Sequence, residues 1–297
     1  MRVTPYNRIV RGHCVSVPQI EKETSMKHIV CYSGGHSSAI VAIEVARKYG
    51  AENTILLNHD INSNVEDADI KRFKVQVSNY LGIPITYANY REFDLENIPD
   101  QFDVVVQEGA FKISGGMELC TSRLKTRPFM KWLKDNYPDG SDCIIYYGFD
   151  KKETHRIQRR SGILGQLGYK TDYPIALWTK RTIYTTKEID IEPPMQYKHF
   201  KHANCTGCLK AGKQHWYIVY CQRPDIWEKA KWAEDEIGYT IIKGQTLEQL
   251  EPVFSEMKKL NIPTTEHMDH RTFWAMVRKA GIDTSTDVDR KPCECIF

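Results

Sequence analysis

Between Lys27 and Asp150 the chain alternates between apolar runs of strand length and amphipathic stretches of helix length. Lys27 to Tyr32 reads as a buried strand, followed by a loop of small residues. Ser38 to Tyr49 then reads as a helix, with Ile40, Ala42, Ile43 and Ala46 as its apolar positions. Thr54 to Asn58 is a second strand, Asp67 to Leu81 an amphipathic helix closed by Gly82, and Ile83 to Tyr87 a third strand. Thr126 to Asn136 is a helix with Pro128 in its first turn, where a missing N–H is tolerated. Cys143 to Phe149 is a further strand, ending at Asp150. This alternation predicts an α/β fold, a parallel twisted sheet with helices on both faces. Right-handed crossovers then gather the loops that follow the strands along one edge, where ligands bind in such sheets.

The rest of the chain reads differently. Residues 1–26 form an N-terminal arm, with an extra strand expected around Arg8 to Val17. The nucleotide-binding domain is placed at 27–215, and 216–297 is a small helical region bearing cysteines, with Leu247 to Leu260 and Arg271 to Ala280 its clearest helices. Pro193-Pro194 breaks any regular element before the Cys205–Cys208 turn. No apolar run approaches the ~18 residues of a membrane span. Met1 to Glu23 lacks the apolar segment of a signal peptide, so a cytoplasmic protein with no membrane partner is expected. A net charge of +3 neither demands nor excludes nucleic acid. The local basic stretches Lys151 to Arg160 and Lys198 to Lys213 fit solvated surface as well as they fit a binding role.

The loop after the first buried strand is Ser33-Gly34-Gly35-His36-Ser37-Ser38. Glycines let a backbone approach closely, N–H groups turn inward, and a helix N-terminus favours negative charge. A phosphate cradle follows from these residues, with the Ser33, Ser37 and Ser38 hydroxyls as further donors. The Gly-Lys-Ser/Thr ending of a P-loop is absent, and so is the third glycine of a dinucleotide fingerprint. A plain structural turn is the competing reading.

The loop resembles the PP-loop, Ser-Gly-Gly-x-Asp-Ser, of ATP pyrophosphatases. Residues 27 to 210 more broadly resemble the phosphoadenosine phosphosulfate (PAPS) reductase family. Cys120 to Pro128 looks like its Cys-Cys-x-x-Arg-Lys-x-x-Pro segment, Gly148 to Arg156 like its Gly-Ile-Arg-x-x-Glu-Ser-x-Arg stretch, and Tyr173 to Trp178 like its Tyr-Pro-Ile/Leu-x-x-Trp. The resemblance implies the adenine nucleotide alpha-hydrolase-like fold. It also implies a nucleotide site made by Ser33, Gly34, Gly35, His36, Ser37, Ser38, Asp60, Arg123, Gly148, Asp150 and Glu153, with Lys125 and Arg156 acting in catalysis. Ser37 stands where the PP-loop has its acid, which removes a charge beside the phosphates. Two uses fit His36, donating to a phosphate oxygen or capping the helix. The double glycine looks more like the ATP-cleaving members than the reductases.

Nine cysteines without an export signal point to thiols, metal or catalysis rather than disulfides. Cys14, Cys31, Cys143 and Cys221 read as small core residues. Cys205-Thr206-Gly207-Cys208 has a spacing that lets two thiolates grip one metal or cluster edge. In cluster-bearing family members a Cys-Cys pair and a Cys-x-x-Cys pair hold a [4Fe–4S] cluster. The resemblance carries over Cys120, Cys205 and Cys208, with Thr121 in the fourth position and Cys293 or Cys295 as substitutes. A zinc site of Cys205, Cys208, Cys293 and Cys295 fits the spacing equally, and free thiols are the third reading.

The resemblance implies an ATP-dependent, adenylating sulfur transfer, with Mg²⁺ near Asp60 or Asp150 and with tRNA or DNA among the acceptors that relatives use. A homodimer is compatible with it. The alternative is a PAPS or adenosine phosphosulfate (APS) reductase, in which Cys295 of the tail Cys293-Glu294-Cys295 attacks sulfur; the Gly-x-His that follows in reductases is missing here. A non-catalytic nucleotide-binding protein with structural zinc is the second alternative.

Overall fold

The computed structural model describes residues 3–10, 13–20 and 26–284, apart from 93–96, 114, 115, 117 and 204. Cys293 and Cys295 therefore lie outside the described residues. The single strand expected around Arg8 to Val17 is instead an antiparallel pair, β1 (Val3–Val10) and β2 (His13–Ile20), with Val10 opposite His13. The chain reverses between them, so the stretch read as one strand belongs to two.

Five parallel strands make the main sheet: β3 (Lys27–Cys31), β4 (Thr54–Asn58), β5 (Ile85–Tyr87), β6 (Cys143–Tyr146) and β7 (Lys170–Asp172). Their spatial order is β5-β4-β3-β6-β7. The chain steps outward from β3 to β5, then crosses back to lay β6 on the other side of β3. The strand order thus reverses between β3 and β6, and the loops leaving those strands part there to leave a crevice.

Both faces of the sheet are covered, because alternate residues of β3 point to opposite sides. Val30 joins one core with Ile40 and Ile43 of α1 (His36–Tyr49) and Phe73 and Val77 of α2 (Ala68–Leu81). Ile29 and Cys31 join another with residues of the later helices. A third core is helical. It takes Phe102, Val104 and Val105 of α3 (Gln101–Glu108) together with the C-terminal helices, so the helical unit recruits an element from the first half of the chain.

After α3 comes a short helix, α4 (Leu119–Thr121), then a wide π turn, Ser122–Thr126, then α5 (Arg127–Asn136). The helix expected over Thr126 to Asn136 is α5, with Thr126 as its cap and Pro128 in its first turn. Phe129 and Leu133 of α5 and Leu164 of α6 (Thr154–Gln166) complete the Ile29 face. Beyond α7 (Pro174–Leu177) the helices are α8 (Lys213–Gln222), α9 (Pro224–Ile237), α10 (Leu247–Lys259) and α11 (His270–Lys279). Among the described residues no helix is long and apolar enough to cross a membrane.

The segment from Thr182 to Tyr197 runs over α1 and α2 as a strap. The buried Glu44 carboxylate accepts the Thr182 and Ile183 N–H groups, the latter at 2.8 Å. Further along, Arg72 donates to the Glu192 carbonyl at 3.0 Å and Asp69 accepts the Met195 N–H at 2.6 Å. These bonds bring the end of the strap to the mouth of the crevice.

Candidate functional site

A cavity of about 740 Å³ opens at the reversal point. One wall is the loop leaving β3, Ser33 and Gly35 to Ser38. The opposite wall is the loop leaving β6, Tyr147 to Asp150, and the start of α6. The strand expected to run to Phe149 stops at Tyr146, which frees Tyr147 to Asp150 to form this wall.

Gly34 makes the turn. Its φ of +82° suits glycine, and a Cβ there would fall 2.7 Å from Lys74 Cγ. Gly35 then caps α1 without help from any side chain, and the first turn of α1 holds no acidic residue. The positive end of the helix dipole is left uncompensated by the chain, which favours an anion in the cavity. Within the loop, the Ser38 hydroxyl donates to the Gly35 carbonyl at 2.8 Å. Ser33 therefore acts as donor to Ser38 Oγ, at 3.3 Å.

His36 lines the cavity and is tied to the strap. Its Nε2 accepts the Thr186 N–H of the strap at 3.3 Å, so the ring carries its proton on Nδ1. Burial lowers its pKa, which keeps the imidazole neutral.

Asp150 and Glu153 form a capping box on the short 3-10 turn Lys151–Glu153 that leads into α6, Asp150 accepting the Lys152 N–H at 2.7 Å and Glu153 the Asp150 N–H at 3.0 Å. Arg156 pairs with Glu153 and lies 4.2 Å above the Phe149 ring. The π turn separates two neighbouring cations. Lys125 lines the cavity, whereas Arg123 makes a two-bond pair with Glu108 of α3, at 2.7 and 2.8 Å, and is not among the lining residues. Asp60 lies outside the cavity as well. Its carboxylate is buried against Lys71 at 2.9 Å and Lys74 at 3.5 Å.

Cys205 lines the cavity and Cys208 is buried, its N–H donating to His215 Nε2 at 3.4 Å. Cys120 packs against the helical core. Among the described residues no three or more His, Cys, Asp or Glu side chains are grouped to hold a metal ion. Cys120, Cys205 and Cys208 are thus not brought together into a cluster or zinc site among the described residues; of the two carboxylates expected near Mg²⁺, Asp150 lines the cavity and Asp60 does not.

Several lining residues escaped the sequence reading. His59, one position before Asp60, is the residue at the end of β4 that lines the cavity. Its Nδ1–H donates to the Ala88 carbonyl, and burial, with the charge of Lys125 adding, pushes its pKa down to about 3. Cys31 also lines the cavity, but burial pushes its thiol up to about 12, away from nucleophilic use. Lys152 and His155 come from one basic stretch and Lys201 and His202 from the other. The two stretches that fitted solvated surface meet across the cavity, and their charge was the available signal.

No protein-family model, no curated protein and no solved structure matches the chain. The fold and cavity alone define it as an α/β protein with a polar site at the reversal point of a five-stranded parallel sheet.

Proposed function

We propose that the chain binds an adenine nucleotide in this cavity and that the nucleotide is ATP, used to adenylate an acceptor ahead of sulfur transfer. The observation that carries the reading is that the Ser33–Ser38 loop, the residues resembling a PP-loop, forms one wall of the cavity at the sheet's reversal point. The volume of about 740 Å³ lies in the range of nucleotide-sized sites.

In this chemistry an acceptor oxygen attacks the α-phosphorus of ATP, the bond to the β-phosphate oxygen breaks, and pyrophosphate leaves with its negative charge. A sulfur nucleophile then displaces AMP from the adenylated acceptor. The residues present serve the first step through electrostatics. The Ser37 and Ser38 amides at the start of α1 face the phosphate oxygens, and Lys125, Lys152, Arg156 and Lys201 offset charge as it moves onto the leaving group. Glu153 and the Phe149 ring fix Arg156 in place.

Equilibrium dialysis of the purified chain against labelled ATP, with PAPS and APS as competitors, tests the reading. ATP is expected to bind, with both sulfonucleotides at least about tenfold weaker, a difference of ~1.4 kcal/mol. Tight PAPS binding with no binding of ATP would replace ATP as the nucleotide. A chain that retains no adenine nucleotide overturns the reading altogether.

A further inference from the structure

The loop's own serines direct few protons at a ligand. The Ser38 proton goes to the Gly35 carbonyl, and the Ser33 proton goes to Ser38. A hydroxyl from far along the chain reaches the same turn. The Tyr197 phenolic oxygen, 161 positions beyond His36, accepts the His36 N–H at 3.0 Å. The Ala203 N–H also hydrogen-bonds to the Tyr197 side chain. A Cβ placed on Gly35 would lie 3.2 Å from this oxygen, so glycine at that position leaves room for it.

A phenol has one proton and two acceptor positions. With both acceptor positions taken by amides, the Tyr197 proton points elsewhere, and no acceptor for it is found among the described residues. Tyr197 lines the same cavity as the loop. Burial raises the phenol above its ordinary value, so the proton stays on at neutral pH.

We infer that Tyr197 is a phosphate-binding residue, donating its hydroxyl proton to an anionic oxygen held against the His36–Ser38 turn. The inference deepens the nucleotide reading and rests on it. Tyr197 makes the site selective for the phosphate chain rather than the base. The strap that Glu44 and Asp69 anchor then has a positioning purpose, since it delivers this hydroxyl to the first amide of α1.

The test compares the full-length chain with Tyr197→Phe in equilibrium dialysis against ATP, inorganic tripolyphosphate and adenosine. The variant is expected to weaken ATP and tripolyphosphate about tenfold, the scale of one hydrogen bond to a charged acceptor, and to leave adenosine within about twofold. Equal weakening of all three probes marks a merely structural residue and overturns the inference. Unchanged ATP and tripolyphosphate binding overturns it too, while leaving the nucleotide reading intact. If the unmodified chain binds neither ATP nor tripolyphosphate, both fall. A second measurement keeps the native shape: 3-fluorotyrosine is placed at position 197 and its ¹⁹F resonance is followed. The resonance is expected to shift on adding tripolyphosphate and to stay put on adding adenosine; an unmoved signal under tripolyphosphate counts against the inference.

Discussion

Gly148 packs against the first turn of α1 so closely that a Cβ on it would stand 3.0 Å from the Ser37 carbonyl carbon and 3.1 Å from the Ser38 nitrogen. The loops leaving β3 and β6 are thus in backbone contact where the strand order reverses. Neither backbone is a flexible side chain end that turns aside cheaply. Gly148→Ala is expected to push the two walls apart and cost about 1–3 kcal/mol, as overpacking does. Urea denaturation measures that loss, and ATP dialysis on the same variant is expected to show weaker binding. A variant with unchanged stability and affinity would mean that the walls separate freely.

Glu44 holds the strap from beneath. Its carboxylate accepts the Thr182 and Ile183 N–H groups and the Thr182 hydroxyl, the last at 3.1 Å. Glu44→Ala leaves those amides without their partner, an expected cost of about 2–4 kcal/mol. Limited proteolysis is the sensitive readout: new cleavage between residues 180 and 190 is expected in the variant. Tyr197 is delivered by the same strap, so affinity for tripolyphosphate is expected to fall alongside.

Acid sensitivity follows from the buried histidines. Burial holds His59 down to about 3 in the folded chain, and it lowers His36 and His28 in the same direction. Once unfolded, each takes up its proton near the ordinary value of 6.5. The unfolded chain then binds more protons than the folded one, so stability falls as pH drops below about 6.5 and, for His59, levels off only near 3. His59 alone accounts for an expected loss of about 2 kcal/mol between pH 7 and pH 5. Carboxylates contribute in a lower window. Burial alone would raise the Glu266 carboxyl, but the hydrogen bond from His215 holds it below its ordinary value, and the Arg72 guanidinium does the same for Asp69. Those contributions are lost only as pH falls beneath about 4.5. Urea midpoints at pH 7 and pH 5 are therefore expected to drop less for His59→Gln than for the unmodified chain, and parallel drops would refute the assignment.

The sheet was legible because its signals are local. Thr54–Asn58 is an apolar run between turn residues, and Asp67 is the side-chain cap that marks the start of α2. β7 was not anticipated, since Lys170-Thr171-Asp172 has no apolar run, and its pairing with Ile144 to Tyr146 comes from the sheet edge rather than its own composition. The β3 loop could be placed at the site because strand, glycines and helix adjoin in sequence. Tyr197 could not, because its contact with His36 spans 161 positions and depends on the strap's tertiary bonds. Asp60 and His59 are neighbours, and a charge at the end of a strand draws attention over an imidazole. Lys71 and Lys74 decide between them by taking the carboxylate into α2.

Lys125 and Arg123 give the sharpest contrast, because they stand two positions apart in one π turn and face different partners. Lys125 lines the cavity beside His59, on whose pKa its charge acts. Arg123 is engaged by both oxygens of Glu108, whose carboxyl it holds below the ordinary range. Both belong to the segment resembling the family's Arg-Lys motif, so sequence alone assigns them together. Lys125→Ala removes a cation from the place where pyrophosphate charge would develop and is expected to weaken ATP binding about tenfold, the scale of a charge-assisted hydrogen bond. Arg123→Ala removes a pair on the α3 side and is expected to leave ATP affinity within about twofold, since charges outside the cavity act through screened solvent. ATP dialysis on the two variants, with circular dichroism to confirm that each is folded, decides the matter. A larger loss from Arg123→Ala than from Lys125→Ala would move the phosphate end of the site to the other face of the turn.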